Sequence, residues 1–100
     1  MNIQVEYHNK SAVVAPRGFV DEYTAPSLKE KLNDLIDQGV REVELDLGGV
    51  EFMDSTGVGV LLGRYKAMRA KGIDLFVSHP TKQVDKLFRL TGIYTIINAR

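Results

Sequence analysis

The chain has 100 residues, no cysteine, and equal numbers of basic and acidic side chains, 13 Lys and Arg against 13 Asp and Glu. Its length predicts a single domain over residues 1–100, and a chain without cysteine has neither a disulfide framework nor a thiol nucleophile. The balanced charge provides no broad electrostatic field to attract nucleic acid. Because the sequence shows neither a signal peptide nor an apolar run long enough to span a membrane, we expect a cytoplasmic protein.

The first part of the chain predicts a β-hairpin followed by a helix. Apolar residues alternate over residues 3–7, Asn9-Lys10 is typical of a turn, and residues 12–15 predict a second strand. A helix is expected from Thr24 to Gly39, because its apolar residues recur with helical spacing and Gly suits the end of a helix. These apolar residues are Ala25, Leu28, Leu32, Leu35 and Ile36.

The middle of the chain predicts a strand, a turn and a second helix. Apolar and acidic residues alternate over residues 43–47, and Gly48-Gly49 predicts a turn after them. The second helix is expected to begin near Ser55 and to end at Lys71-Gly72. Its apolar stripe consists of Val58, Leu61, Leu62, Tyr65 and Met68.

The last part of the chain predicts another strand, over residues 73–77, and a third helix that Pro80 opens and Gly92 closes. The apolar segment Ile93–Ile97 is interpreted as a last short strand. The order ββαβαβα predicts the α/β class, a single domain with a mixed four- to five-stranded sheet and helices packed on one or both of its faces.

The segment Asp54-Ser55-Thr56-Gly57 lies where a strand leads into a helix. The free amides and positive dipole end of a helix suit an anion or a phosphorylated side chain, and Ser55 is the candidate residue. The competing interpretation is helix capping, since Asp, Ser and Thr are all good N-caps. Gly57, Gly59 and Gly63 indicate tight packing of this helix on the sheet rather than a phosphate loop, because the known phosphate-loop spacings are absent.

Enzymatic functions fit these residues poorly. A serine hydrolase requires Gly-x-Ser-x-Gly, whereas Met53 stands two residues before Ser55. A receiver-type phosphoaspartate at Asp54 would need further acidic magnesium ligands, and Asp21 is the only candidate. His8 and His79 lie far apart with no cysteine to complete a zinc site. We therefore expect no catalysis by this chain, no cofactor and no metal.

These residues carry a family resemblance. Residues 43–47 and 50–66, which include Phe52-Met53-Asp54-Ser55-Thr56-Gly57, resemble the core signature of STAS domains, and specifically of bacterial anti-sigma factor antagonists. Residues 84–93 resemble the third helix of that family, and Gly18-Phe19-Val20-Asp21 is similar to its Gly-x-(apolar)-Asp segment. The resemblance covers most of the chain and implies the STAS fold.

The resemblance also implies a phosphorylation switch at Ser55. In this family an anti-sigma factor, which is itself a serine protein kinase, phosphorylates that serine. The phosphorylated antagonist no longer binds the anti-sigma factor, and a PP2C-type phosphatase restores binding. Asp21, Asp54, Thr56 and Gly57 occupy the family positions expected to contact the partner beside Ser55. For Asp54 the alternative is simple capping, and for Asp21 it is an ordinary turn aspartate.

Two other hypotheses about function remain open. A STAS scaffold or accessory subunit of a signalling or lipid-transport complex would use the same fold without modification of Ser55, and nucleotide binding by the fold is a further hypothesis.

Phe52 and Met53 are expected in the core. No exposed apolar seam is evident in the sequence, so we expect a monomer when the chain is free.

Overall fold

Strands and helices alternate along the chain, and the computed structural model describes all of residues 1–100. The strands are β1 (Asn2–His8), β2 (Ser11–Val20), β3 (Glu42–Asp46), β4 (Val50–Met53) and β5 (Asp74–Ser78). The helices are α1 (Ala25–Asp37), α2 (Ser55–Ala70) and α3 (Lys82–Thr91), and a 3-10 turn spans Ile93–Thr95. The expected α/β class with a mixed sheet is confirmed, and the sheet has five strands.

Strand β2 connects the parts of the sheet. It pairs with β1 in antiparallel register, its first residues Ser11–Val14 run parallel to β3, and its last residues Gly18–Val20 run parallel to β4. Strand β5 lies parallel to β3. A register shift between Gly18 and Phe19 interrupts the β2–β4 ladder after its first pair, Gly18 with Val50. Because β2 and β4 are parallel, their carboxyl ends meet at one edge of the sheet.

The core lies on one face of this sheet. The apolar residues of β3 and the following turn are fully buried, whereas Glu42, Glu44 and Asp46, which alternate with them, remain partly exposed on the other face. Buried residues of all three helices, such as Leu28, Leu61 and Phe88, belong to the same cluster of 22 residues. The helices therefore cover one face only.

The structure corrects one predicted strand and adds one that was not predicted. Ile93–Ile97 is not a strand, because a 3-10 turn follows Gly92, which adopts a left-handed backbone with φ of 77°. Ile93 and Ile97 are both fully buried, and this spacing of four residues is helical rather than strand-like. The fifth strand is instead β4, a four-residue segment directly after the Gly48-Gly49 turn that the alternation pattern did not reveal.

Candidate functional site

The segment that contains Ser55 and the loop that contains Asp21 lie side by side. Val20, the last residue of β2, pairs with Met53, the last residue of β4. The next backbone step continues this pairing, because the amide of Asp54 donates a hydrogen bond to the carbonyl oxygen of Val20 at 3.2 Å. Asp21 and Asp54 therefore follow neighbouring parallel strands at the same edge of the sheet, as the resemblance implies.

Asp54 is the N-cap of helix α2. Its backbone is extended, and its Oδ1 accepts hydrogen bonds from the amides of Thr56 at 2.9 Å and Gly57 at 3.4 Å. The amide of Val58 donates to the Asp54 carbonyl oxygen, which begins the helical hydrogen-bond pattern. The capping role considered for Asp54 is confirmed, and its carboxylate already occupies two of the amides that an anion would seek.

Ser55 is the first residue of α2, and its side chain is exposed. Its hydroxyl makes no hydrogen bond within the chain, so capping, which Asp54 provides, does not account for this serine. Thr56 is also exposed and lies one position further along the helix, whereas Gly57 is buried. The geometry thus presents the Ser55 hydroxyl to an approaching protein without any rearrangement of the helix.

Asp21 organises the turn between β2 and α1. Its Oδ1 accepts hydrogen bonds from the amides of Tyr23 at 3.0 Å and Thr24 at 3.1 Å, and the Thr24 hydroxyl donates to the carbonyl oxygen of Phe19 at 2.7 Å. These bonds are those of an aspartate-initiated turn. Neither Asp21 nor Asp54 forms an ion pair with a basic side chain. The edge therefore carries two carboxylates that no cation of the chain neutralises.

The three glycines of α2 have different environments. A Cβ atom at Gly57 would lie 2.7 Å from Cγ of Met53 and 2.9 Å from Cγ1 of Val20, so only glycine allows this close approach of helix and sheet. At Gly59 and Gly63 a Cβ atom would meet nothing within 4 Å. The prediction of tight packing is therefore confirmed for Gly57 and wrong for Gly59 and Gly63, which line an open groove of about 340 Å³ between α1 and α2.

Phe52 is not a core residue, although Met53 is. Met53 is 1% exposed, whereas Phe52 is 41% exposed, because successive residues of a strand point to opposite faces and only one face of this sheet bears helices. Phe52 pairs across the strands with Phe19, which is 54% exposed, and their ring centroids are 5.9 Å apart. The two aromatic side chains form an exposed pair on the helix-free face, two residues before Asp54 and Asp21.

Gln83 contributes to the site, although no pattern in the sequence predicts its role. Its side-chain amide bonds to the backbone of Met53 in both directions, with the Met53 amide donating to Oε1 at 2.8 Å and Nε2 donating to the Met53 carbonyl oxygen at 2.8 Å. A glutamine in the first turn of a helix is ordinarily a solvated residue, and no local pattern distinguishes this one. Only the packing of α3 beside β4 reveals its role.

A separate group of possible metal ligands lies at the ends of β3 and β5. Single ligand atoms of Glu44, Asp46 and His79 all lie within 4.8 Å of one another. Protein groups already engage both carboxylates, since the Ser78 hydroxyl donates to Glu44 at 2.6 Å and His79 Nδ1 lies 3.3 Å from Asp46 Oδ1. These residues belong to β3 and to the position directly after β5, not to β2, β4 or α2, the elements that position Asp21 and Ser55.

Comparison with known proteins identifies the family. The sequence matches the STAS domain family over residues 2–100. The chain belongs to the STAS domain family. It is 35% identical over 98 residues to the anti-sigma-B factor antagonist of Bacillus subtilis strain 168, and the match covers 98% of this chain and 89% of that protein.

Solved structures agree with this assignment. The unphosphorylated form of the anti-sigma factor antagonist SpoIIAA superposes with a TM-score of 0.85 at 25% identity, over 99% of this chain and 88% of that one. The phosphorylated form of SpoIIAA, described as a Bacillus cell fate determinant, shares the fold with a TM-score of 0.77 at 24% identity, over 99% of this chain and 91% of that one.

No helix of this STAS domain is long and apolar enough to cross a membrane.

Proposed function

We propose that this STAS domain is an anti-sigma factor antagonist, and that phosphorylation of Ser55 switches its binding to an anti-sigma factor off. The observation that carries the proposal is the exposed Ser55 hydroxyl at the start of α2, directly after a capping aspartate and free of any structural hydrogen bond. The names of its relatives support the antagonist role. On this proposal the chain is a regulatory binding protein of the cytoplasm and performs no catalysis itself.

The proposed contact surface is the edge at which β2 and β4 end. It comprises Asp21, Asp54, Ser55 and Thr56, and the β2–β4 pairing holds Asp21 and Asp54 side by side there. Gly57, which the resemblance also predicts at the contact, is buried beneath this surface. The partner is an anti-sigma factor that is also a serine protein kinase, so the docked partner places its active site against Ser55. A PP2C-type phosphatase removes the phosphate and restores binding.

Electrostatics at this edge supports a switch that needs no refolding. A phosphoserine adds a charge of about −1.5 to −2 at neutral pH. Asp54 already occupies the amides of Thr56 and Gly57, so a phosphate on Ser55 finds only part of the helix N-terminus available. It also adds to the unpaired charges of Asp54 and Asp21. The modified edge therefore disfavours a partner that has to desolvate it.

The test is to incubate the protein with ATP and each candidate anti-sigma kinase encoded in its source genome, and to locate added phosphate by mass spectrometry. We expect phosphate on Ser55, none on Ser55→Ala, and undiminished modification of Thr56→Ala, the matched neighbouring hydroxyl. We expect the phosphorylated chain to bind the anti-sigma factor at least about 10-fold more weakly, which corresponds to roughly 1.4 kcal/mol.

The contrary result is equally clear. If wild-type protein binds a partner but no kinase modifies it, while a control substrate is phosphorylated, the switch is refuted and the chain acts as a STAS scaffold. Phosphate on Thr56 instead of Ser55 would refute the residue assignment alone.

A further inference from the structure

The amide side chain of Gln83 acts as a strand partner for the last residue of β4. Two backbone residues that face each other in an antiparallel ladder exchange two N–H···O bonds, and Gln83 makes the same exchange with Met53 through its side chain, at 2.8 Å in each direction. Strand β4 pairs with β2 alone among the strands. Gln83 therefore supplies the partner that the outer edge of β4 lacks at this residue.

Helix α3 gives this side chain a rigid base. Gln83 lies in the first turn of α3, and the next residue, Val84, is fully buried in the core together with Phe88 one turn later. Gln83 itself is partly buried. The amide group that meets Met53 is thus carried by an element that the core holds in place, rather than by a loop.

The contact acts directly upstream of the switch segment. Met53 precedes Asp54, whose carboxylate begins helix α2, and Ser55 follows. Strand β4 has only four residues and is bound to β2 over a short, shifted register, so few other bonds fix the direction in which the chain leaves the sheet. Without Gln83, the amide and carbonyl of buried Met53 would both lose a partner.

We propose that Gln83 is a positioning residue for Ser55: it clamps the backbone of Met53 and so holds the Asp54-Ser55 segment in the orientation that the anti-sigma kinase requires. The inference rests on the proposed phosphorylation of Ser55. Phosphoryl transfer depends on the position of the attacking hydroxyl, and small displacements of a reacting group cost large factors in rate. Gln83 makes no hydrogen bond to Ser55, so its effect passes through Met53.

The experiment compares Gln83→Met, which keeps the length of the side chain and removes both hydrogen bonds, with wild type. Gln83→Glu is a second variant, which retains an acceptor for the Met53 amide but sets a carboxylate oxygen against the Met53 carbonyl oxygen. The matched control is Asp85→Asn, which alters hydrogen bonds on the same helix and leaves the Met53 contacts intact. Each folded variant is phosphorylated with the cognate anti-sigma kinase, and amide hydrogen exchange of Met53 is followed by NMR.

We expect Gln83→Met to lose exchange protection at Met53 and to be phosphorylated about 10-fold more slowly than wild type at saturating substrate, because the attacking hydroxyl is no longer held in place. Gln83→Glu should also lose protection and rate, because its carboxylate cannot donate to the Met53 carbonyl oxygen, and Asp85→Asn should match wild type in both measurements. Loss of protection at Met53 with an unchanged rate would overturn the proposal, since Gln83 would then be structural only. So would an equal loss of rate in Asp85→Asn.

Failure of the underlying function gives a different result. If the wild-type chain itself receives no phosphate from any kinase, the switch is refuted and the positioning role falls with it. If wild type is phosphorylated on Ser55 and the Gln83 variants are phosphorylated equally fast, only the positioning role is refuted.

Discussion

At the scale of single residues, Asp54 decides how helix α2 begins. Its carboxylate binds the Thr56 and Gly57 amides, which would otherwise lack acceptors at the helix terminus. The Ser55 hydroxyl is left free as a result. Capping, one of the two explanations of the Asp54-Ser55 pair that the sequence offers, belongs to Asp54, and Ser55 remains free for the proposed phosphorylation.

Removing the cap should lower stability without removing the proposed phosphorylation site. We expect Asp54→Ala to reduce the free energy of unfolding by about 1 kcal/mol, because the two amides lose their acceptor. Asp54→Asn should remain close to wild type, since Asn is an equally good N-cap. Urea denaturation followed by circular dichroism measures both. A stability of Asp54→Ala equal to wild type would show that water replaces the cap at no cost.

The glycines of α2 should respond in opposite directions to the same substitution. We expect Gly57→Ala to destabilise the fold by about 1 to 3 kcal/mol, because the added carbon collides with Met53 and with the stiff side chain of Val20. Gly59→Ala should stabilise it by up to about 1 kcal/mol, because the new methyl group meets open space and alanine favours helix. Melting temperatures of the two variants provide the comparison, and equal shifts would contradict this description of the helix.

At the scale of elements, α3 and the 3-10 turn after it are joined by a small polar cluster. The Tyr94 hydroxyl donates to Asp85 Oδ1 at 2.7 Å, and Arg89 Nε donates to Asp85 Oδ2 at 2.9 Å. The hydrogen bond from Tyr94, followed by that from Arg89, lowers the pKa of Asp85. Burial, together with the hydrogen bond to Asp85, raises the pKa of Tyr94 to about 12. The cluster joins α3 to the 3-10 turn that follows it.

This cluster predicts a specific loss of stability at alkaline pH. An unfolded chain releases the Tyr94 proton near the usual pKa of 10.0, whereas the folded chain retains it up to about 12. Between these values the folded state binds more protons, so stability falls as pH rises. We expect the melting temperature of wild type to decline across this range more steeply than that of Tyr94→Phe. Parallel curves for the two proteins would exclude the Tyr94–Asp85 contact.

In acid, the stability that this cluster contributes depends on pH with the opposite sign. Because the pKa of Asp85 is lowered in the folded chain, its contribution is present above the ordinary value of 3.8 and is lost as pH falls through the folded value. The pair therefore stabilises the fold fully between pH 3.8 and pH 10.0, the ordinary pKa values of its two groups.

At the scale of the whole molecule, the proposed switch changes charge and leaves the fold intact. Ser55 is exposed at the start of α2, whereas the core residues of that helix, Val58, Leu61 and Met68, lie further along it, so no core contact has to break when a phosphate is added. Phosphorylation should thus alter one edge of the domain.

We expect the phosphorylated protein to retain its circular dichroism spectrum, with amide chemical-shift changes confined to Asp21 and residues 54–58. The unmodified chain in the same buffer is the reference, and Ser55→Ala treated with kinase and ATP controls for additives. Shifts that spread to α3 or to the β1–β2 hairpin would show a conformational switch and would contradict an electrostatic one.

The sequence by itself determined the local elements of this protein. The period of two over residues 43–47 and the helical spacing of Leu28, Leu32 and Leu35 predict the observed strand and helix, because side-chain spacing reflects the local backbone geometry. The capping role of Asp54 is likewise readable, since it involves only neighbouring residues.

Only the tertiary structure decided which distant residues meet. The β2–β4 pairing brings Asp21 beside Asp54, the helix-free face leaves Phe52 exposed, and the packing of α3 places Gln83 against Met53. Each of these depends on contacts between segments far apart in the chain, which local periodicity does not reveal. For the same reason the short strand β4 escaped prediction, because its partner on β2, rather than its own four residues, makes it a strand.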